Sequence, residues 1–515
     1  MPVPRPSEGS GSFFAVNSAV LVVGDGPPAE AAVSALRAHP VFWVGATAEP
    51  GPHVMAYADE SVAEVRGQRG RFRVQLEGKQ GKLWLECGNV VLAPSLQRTL
   101  DPSWHLPESR LAVSVSRAAR LAVERGPVVF LLGGGETEGY FSALTALREA
   151  VCLAARQVEV YFFFADLGVS WPGLEEVHQE ARRLGVRFIR ISDTSAFRVA
   201  EEGGFLRVRY TDAYLPGSPE FSLTATYVFA GEVGLPGSDF AELARTFRID
   251  RDRWGFLQSD NVRLFPVRTN RPGVYVLGEA RGPAFAGEAG LDAAAIAGET
   301  APFLAGEILV AEPWLRVDPA RCSFCLECDR YCPAVALEVH RARKTVAINP
   351  LACLGCGICA GVCPEHAIAY PGPETKSGRR QGKTIVFACE KSGYLAAQSI
   401  PLPAWAATLE MIPLPCAGRL DEGMVLRALA QGAVQVIVSA CREQCCHYSS
   451  GERLAEEKVR ALKEHLGSMG LNPGRVTLVR ASANAPREWL GLVREIIAGD
   501  GTGPGETGME KCAKT

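Results

Sequence analysis

Short apolar runs alternate with stretches of helical periodicity along the first 310 or so residues. SAVLVVG, VFWVG, NVVLAP, PVVFLLGGG and EVYFFF read as strands, and AEAAVSALRA and SALTALREAVCLAA read as helices between them. Strands alternating with helices predict parallel sheet. After GETAPFLAGEILVAEPWLRVDPAR the pattern gives way to a compact, cysteine-dense stretch over roughly 316–372. PGPETKSGRRQGK, rich in Pro, Gly and charge, reads as a linker. Alternation resumes over 384–497, where KTIVFACEKSG, LEMIPLPCAGR and VQVIVSACREQCC are candidate strands separated by helical GYLAAQSI and DEGMVLRALAQG. The tail, 498–515, is expected to be disordered, with Cys512 an unliganded thiol.

Composition narrows the classes. A chain of 515 residues has room for two to four domains, and 47% hydrophobic with 22% charged residues is ordinary for globular protein. A formal net charge of −3 offers no electrostatic case for binding nucleic acid or an anionic membrane. The N-terminal stretch lacks the pattern of a signal peptide, and no run of about 18 apolar residues predicts a spanning helix. The expected location is the cytoplasm, with membrane association only through partner subunits. Cysteine changes the picture most: fourteen of the sixteen lie from Cys322 onward. Clustered thiols in a cytosolic chain favour metal over disulfide.

Cys322, Cys325, Cys328 and Cys332 with Pro333 form C-x2-C-x2-C-x3-C-P, and Cys353, Cys356, Cys359 and Cys363 with Pro364 repeat it. This is the spacing of bacterial two-cluster ferredoxins, in which three close thiolates hold one cluster and the fourth crosses to the other. It predicts one [4Fe–4S] cluster on Cys322, Cys325, Cys328 and Cys363, and a second on Cys353, Cys356, Cys359 and Cys332. Gly355, Gly357 and Gly361 suit a loop that turns amides toward cluster sulfurs. Paired zinc sites are the competing reading.

In the last unit each candidate strand runs into cysteine. Ligands collect at the carboxyl ends of parallel strands, so Cys389, Cys416, Cys441 and one of Cys445 and Cys446 are expected to meet as a site for a [2Fe–2S] cluster. Buried core cysteines are the bland alternative. FACEKSGY, PCAGRLDEGMVLRALAQGA and ACREQCCHYSSGERLAEEKVRALKEHL resemble the delta subunit of methyl-viologen-reducing hydrogenase over about 110 residues. That resemblance implies an iron–sulfur cluster on Cys389, Cys416, Cys441 and Cys446. Ser392 stands where that family carries a second cysteine of its first pair, and Cys445 is not required by its pattern.

The first domain carries partial dinucleotide signatures. Gly24, Gly26 and Ala29 fit G-x-G-x-x-G/A between a strand and a helix. Pro27 and Pro28 remove amide donors at the helix start, and Gly45 rather than an acid ends the next strand, with Glu49 only nearby. TNRPGVYVLGEARGP resembles the second flavin-contacting motif of two-dinucleotide-binding flavoproteins, with Thr269, Gly273, Gly278 and Glu279 in place. GGGETEG at 133–139 misses the full fingerprint. Cys87 and Cys152 fit no ligand pattern and are expected in the core.

This order of parts resembles the A subunit of heterodisulfide reductase with a hydrogenase delta subunit fused behind it, and is similar to the flavin subunit of the quinone-interacting membrane-bound oxidoreductase. The expected fold class is multidomain α/β. It comprises an FAD/NAD-binding Rossmann-like domain (1–312, degenerate or intact), a 2[4Fe–4S] ferredoxin α+β module (316–372) and a small parallel-sheet domain (384–497). The resemblance implies an electron-transfer subunit of an oxidoreductase complex with two [4Fe–4S] clusters, one [2Fe–2S] cluster and FAD in the first domain. Its partners would be heterodisulfide reductase-like B and C subunits and a hydrogenase, dehydrogenase or sulfur-metabolism reductase, or a quinone-interacting membrane module. No nucleic-acid partner is expected, nor a catalytic residue unless FAD is retained. The alternatives are a self-contained, bifurcating FAD-dependent oxidoreductase that uses the clusters as conduits, and a zinc-stabilised interaction protein.

Overall fold

Strands rich in Val, Leu and Phe with apolar residues at successive positions need cover on both faces, which parallel sheets between helices supply. The computed structural model of the chain has this arrangement. It describes most of residues 11–499; the stretches 1–10, 47–50, 134–139, 168–172, 258–265, 283–286, 371–379 and 500–515, with some shorter ones, lie outside the description. Glu49, most of GGGETEG and Cys512 therefore fall outside it.

Residues before 312 build two five-stranded parallel sheets. In the first, the order is Val274–Val276, Asn89–Ala93, Val20–Gly24, Val41–Val44, Val54–Tyr57. Alternate residues of these strands feed opposite faces. Val20, Val22 and Val91 pack with Ala29, Ala32 and Ile296 of the helices Gly26–Ala35 and Glu288–Thr300. Leu21, Val90 and Leu92 pack with Phe72, Val74 and Leu76, which belong to the antiparallel meander Ser61–Arg66, Phe72–Gly78, Gly81–Cys87. The second sheet runs Ala112–Ser114, Tyr227–Ala230, Val128–Leu132, Val160–Phe164, Arg187–Arg190, again parallel. Cys87 is buried, as its apolar surroundings predict, but Cys152 is exposed on the helix Tyr140–Ala155 and is not a core residue.

The cysteine-rich module is built from two short antiparallel ladders, Arg316–Val317 with Ile368–Ala369 and Leu337–His340 with Thr345–Ile348, and two short helices, Glu327–Arg330 and Ile358–Val362. The last unit is a four-stranded parallel sheet in the order Leu409–Leu414, Thr384–Cys389, Gln435–Cys441, Val476–Ala481. The fourth strand, which the hydrophobic pattern did not reveal, lies at the sheet edge. One face packs on the helices Glu422–Ala430 and Gly451–Ser468, the other on Gly393–Gln398 and Pro486–Ala498. Arg380 corrects the linker reading: it is buried and paired with Glu410 at 3.3 Å, so the domain begins before Thr384. Among the described residues no helix is long and apolar enough to cross a membrane.

Candidate metal centres

Each half of the cysteine repeat turns tightly, and the two halves exchange their fourth thiol. Gly355 and Gly357 hold φ of +69° and +74°, conformations that favour glycine. One cavity is lined by Cys322, Cys325, Cys328 and Cys363, with Phe324 and Ile368 among its apolar walls. A second is lined by Cys332, Cys353, Cys356 and Cys359, with Leu315 and Ile348. Burial, then the nearby thiols Cys325, Cys363 and Cys322, push Cys328 up to about 11. Burial, with Cys332 and Cys353 adding to it, pushes Cys356 up to about 12. Mutual repulsion of that kind requires the thiols to converge, and thiolates at such sites need a positive metal centre to exist at neutral pH.

Amides face the sulfurs. Ala336 N donates to Cys332 Sγ at 3.3 Å, Gly355 N to Cys353 Sγ at 3.4 Å and Ala367 N to Cys363 Sγ at 3.3 Å. Such donors stabilise cluster sulfur and tune potential. The residues therefore fit two four-thiolate clusters, each in an apolar-walled cavity crossed by one ligand from the other half. Among the described residues no three His, Cys, Asp or Glu side chains take the spacing of a single-ion site, whereas a cubane takes thiolates spread around a cavity.

In the last unit, Cys389 and Cys441 end adjacent parallel strands, and their sulfurs lie 3.8 Å apart. Cys416 follows the neighbouring strand by two residues. Cys446 meets both Cys416 and Cys441, its thiol pushed down and theirs pushed up by this sharing. All four are buried on one face of the sheet. A Cβ on Gly451 would overlap Cys416 Sγ and approach Cys446 Sγ to 3.2 Å, so a glycine is needed where the following helix starts. Cys445 is not among the free thiols. Ser392 is buried beside Cys389, in the place of the second cysteine of the delta-subunit pattern. These residues fit a four-thiolate cluster.

Sequence reasoning missed the residues that join the two regions. Cys356 and Ile358 of the cysteine-rich module lie in the same buried apolar cluster as Cys389, Cys416, Cys441, Cys446 and Tyr448. Burial pushes the Tyr448 hydroxyl far above its ordinary range, and the nearby Cys356, Cys416 and Cys389 all add to it. A Cβ on Gly361 would overlap Arg419 O, and one on Gly418 would reach Ile358 Cγ1 at 3.3 Å. Gly361 thus serves close approach of two backbones rather than the cluster loop its place in the motif suggested. Lys458 Nζ donates to Gly361 O at 2.9 Å, Gly418 O at 2.7 Å and Leu420 O at 2.8 Å, and Arg419 lies 4.0 Å from the Tyr370 ring centroid. Glu452, buried, touches Cys446; burial and then that thiol push its carboxyl up to about 7.

In the first domain, Gly24 and Gly26 take φ of +145° and +63°, and a Cβ on Gly24 would overlap Ala93 O. Ala29 is fully buried against the sheet. Gly278 is also left-handed, and a Cβ there would meet Pro28 Cβ at 3.3 Å. Glu279, the acidic member of the second motif, accepts from Leu96 N at 3.2 Å and pairs with Arg98. Trp43 Nε1 donates to Gly24 O at 2.9 Å. The backbone suits a dinucleotide fold, whereas the donors and the acid that would hold the dinucleotide are missing or engaged. The structure does not bring Glu279 and the first glycine loop into one free anion site.

Residues 315–393 match the 4Fe-4S dicluster domain family, and residues 384–499 match the family "Methyl-viologen-reducing hydrogenase, delta subunit". The chain is thereby an iron–sulfur protein with an α/β scaffold. It is similar to the A subunit of the ferredoxin/F(420)H(2)-dependent CoB-CoM heterodisulfide reductase of Methanosarcina acetivorans, with 27% identity over 379 residues, 71% of this chain and 47% of that one. It is also similar to the D iron-sulfur subunit of the F420-non-reducing hydrogenase vhu of Methanocaldococcus jannaschii, with 33% identity over 116 residues, 22% of this chain and 87% of that one. Behind its dicluster module the chain carries a domain that belongs to the hydrogenase delta-subunit family, and 71% of the chain is similar to a heterodisulfide reductase A subunit. It spans about half (47%) the length of the heterodisulfide reductase relative. Among solved structures, the flavoprotein disulfide reductase RclA of Escherichia coli aligns at a TM-score of 0.38 and 13% identity, covering 55% of this chain and 70% of that one.

Proposed function

We propose that the chain is an electron-transfer subunit of a heterodisulfide reductase-like complex. Its domains span 1–312, 316–372 and 380–499, with a tail from 500. Two [4Fe–4S] clusters sit on Cys322, Cys325, Cys328 and Cys363, and on Cys332, Cys353, Cys356 and Cys359. A [2Fe–2S] cluster sits on Cys389, Cys416, Cys441 and Cys446. Single electrons pass between the last site and the dicluster module. The observation that carries this reading is the shared apolar core holding Cys356, the four C-terminal thiols and Tyr448. The clusters supply the redox couple. The chain's own residues exclude water, hold the sulfurs with amides and fix the distance between modules through Lys458, Gly361 and Gly418.

The partners in this reading are B- and C-type subunits and a hydrogenase, dehydrogenase or reductase that exchanges electrons at the last domain. Substrate chemistry belongs to those subunits. For FAD the observations divide. The positive φ of Gly24, Gly26 and Gly278 supports a dinucleotide cradle, and the engagement of Glu279 with Arg98 counts against a filled one. The electron path therefore runs through the cysteine sites alone. Anaerobic isolation with iron, zinc, acid-labile sulfide and flavin analysis tests it. About ten irons per chain is the sum for two cubanes and one [2Fe–2S] cluster, and rapid reduction after removal of any flavin should still equilibrate all three. Stoichiometric zinc, or clusters that equilibrate only with flavin bound, would refute it.

A further inference from the structure

A cavity at the junction of the three modules lies outside the cysteine sites. Its volume is about 290 Å3, at the lower edge of small-molecule sites. Its walls include Arg69, Arg268 and Glu299 of the first domain, Leu354 of the dicluster module, and Lys391 and Tyr448 of the last domain. Contacts around it hold the modules together: Asn270 Nδ2 donates to Pro333 O at 2.9 Å, and Ser449 Oγ to Asp250.

The charges on these walls do not cancel. Arg268 is committed to Glu299. Arg69 is held by two contacts that leave its charge unpaired: Nη2 donates to the Tyr275 hydroxyl at 3.1 Å, and the guanidinium carbon lies 4.9 Å from the Phe303 ring centroid. Its Nε–H is buried and has no acceptor among the described residues. Lys391, exposed and also on the cavity wall, has neither hydrogen bond nor ion pair from its ammonium among the described residues. The result is two positive side chains lining one space without an ion-pair partner among the described residues, one of them a guanidinium held in place by Tyr275 and Phe303. A planar guanidinium beside an ammonium is suited to the oxygens of phosphate or carboxylate.

We infer that this cavity binds a small dianion, a phosphate monoester or a dicarboxylate, at the seam between the dicluster module and the last domain. Leu354 lines both this cavity and the one formed by Cys332, Cys353, Cys356 and Cys359, and Lys391 follows Cys389 by two residues. A dianion seated there adds negative charge beside two thiol sites. On the relay reading above, it makes their reduction less favourable, and by linkage reduction weakens the anion's binding. Binding itself does not depend on that reading.

The test is calorimetric titration of the full, anaerobically isolated chain with AMP, inorganic phosphate and succinate, for the wild type and for Arg69→Gln, Lys391→Gln and Arg73→Gln. Arg73 is exposed and remote from the cavity walls. One saturable site is expected for either AMP with phosphate or succinate, and which of them binds names the class. The dissociation constant should rise about tenfold or more in Arg69→Gln and in Lys391→Gln, the loss expected for one charge-assisted contact, and stay unchanged in Arg73→Gln. Because Lys391 is exposed and unpartnered, its variant keeps the fold whatever Arg69→Gln does. Absence of binding for all three anions, or equal affinity in wild type and Lys391→Gln, would overturn the inference. A chain that binds the anion but lacks the expected iron would instead overturn the relay reading.

Discussion

Replacing Lys458 with Met removes the ammonium and keeps most of the side-chain bulk. Three carbonyls lose their donor: Gly361 O in the dicluster module, and Gly418 O and Leu420 O in the turn after Cys416. Hydrogen bonds from a charged donor contribute about 1.5–3 kcal/mol each. Part of that is offset, because burial holds the ammonium at a cost, pushing it down to about 8. The net loss should be about 2–4 kcal/mol, concentrated where the modules meet. Hydrogen exchange resolves local opening of this kind. Amides of the helix Ile358–Val362 and of Ala417–Arg419 should lose about 30- to 700-fold in protection, the equivalent of that energy. Protection in the first sheet, Val20–Gly24 and Asn89–Ala93, should be unchanged. Exchange at 358–362 and 417–419 that matches the wild type would refute the clamp, and uniform loss across the chain would show that Lys458 acts on the fold as a whole.

Cys446→Ser should abolish or distort the [2Fe–2S] signal, and Cys445→Ser should spare it; low-temperature EPR of the two variants checks this, since only Cys446 joins Cys389, Cys416 and Cys441. Gly361→Ala should separate the two modules, because its Cβ would overlap Arg419 O. The readout is slower electron exchange between the last site and the dicluster module with iron content intact. Arg380→Ala should lower the thermal midpoint of the last domain by leaving Glu410 without its buried partner, a change on the order of 1–3 kcal/mol; scanning calorimetry checks it.

Much of the site was legible because ligand spacing is local. Eight cysteines in a repeated pattern dictate their own cluster geometry, and the crossing of Cys332 and Cys363 follows from it; the two cavities group the thiols in that way. Cys389, Cys416 and Cys441 could be placed because parallel strands deliver their carboxyl ends to one edge. What escaped depends on contacts between distant segments. Lys458, deep in a charged helix, gives no local sign that it reaches carbonyls of two modules, and Tyr448 reads as an ordinary aromatic beside a thiol pair. Gly361 sat within a cysteine motif and took its meaning from it, although the backbone of Arg419 is what requires it. The strand Val476–Ala481 alternates weakly at a sheet edge, and Arg380 was hidden by the Pro, Gly and charge around it. Cys152 went the other way: fitting no ligand pattern, it is expected in the core, but it lies exposed.

The central claim is that the last four-thiolate site and the site holding Cys356 are coupled across one buried core. Its most direct measurement is EPR of the anaerobically isolated full chain at graded reduction, with Cys446→Ser as the reference. The account predicts that the [2Fe–2S] signal broadens and relaxes faster once the dicluster module is reduced, and that this change vanishes with the signal in Cys446→Ser. A [2Fe–2S] signal whose shape and relaxation are the same whether the dicluster module is oxidised or reduced would contradict it.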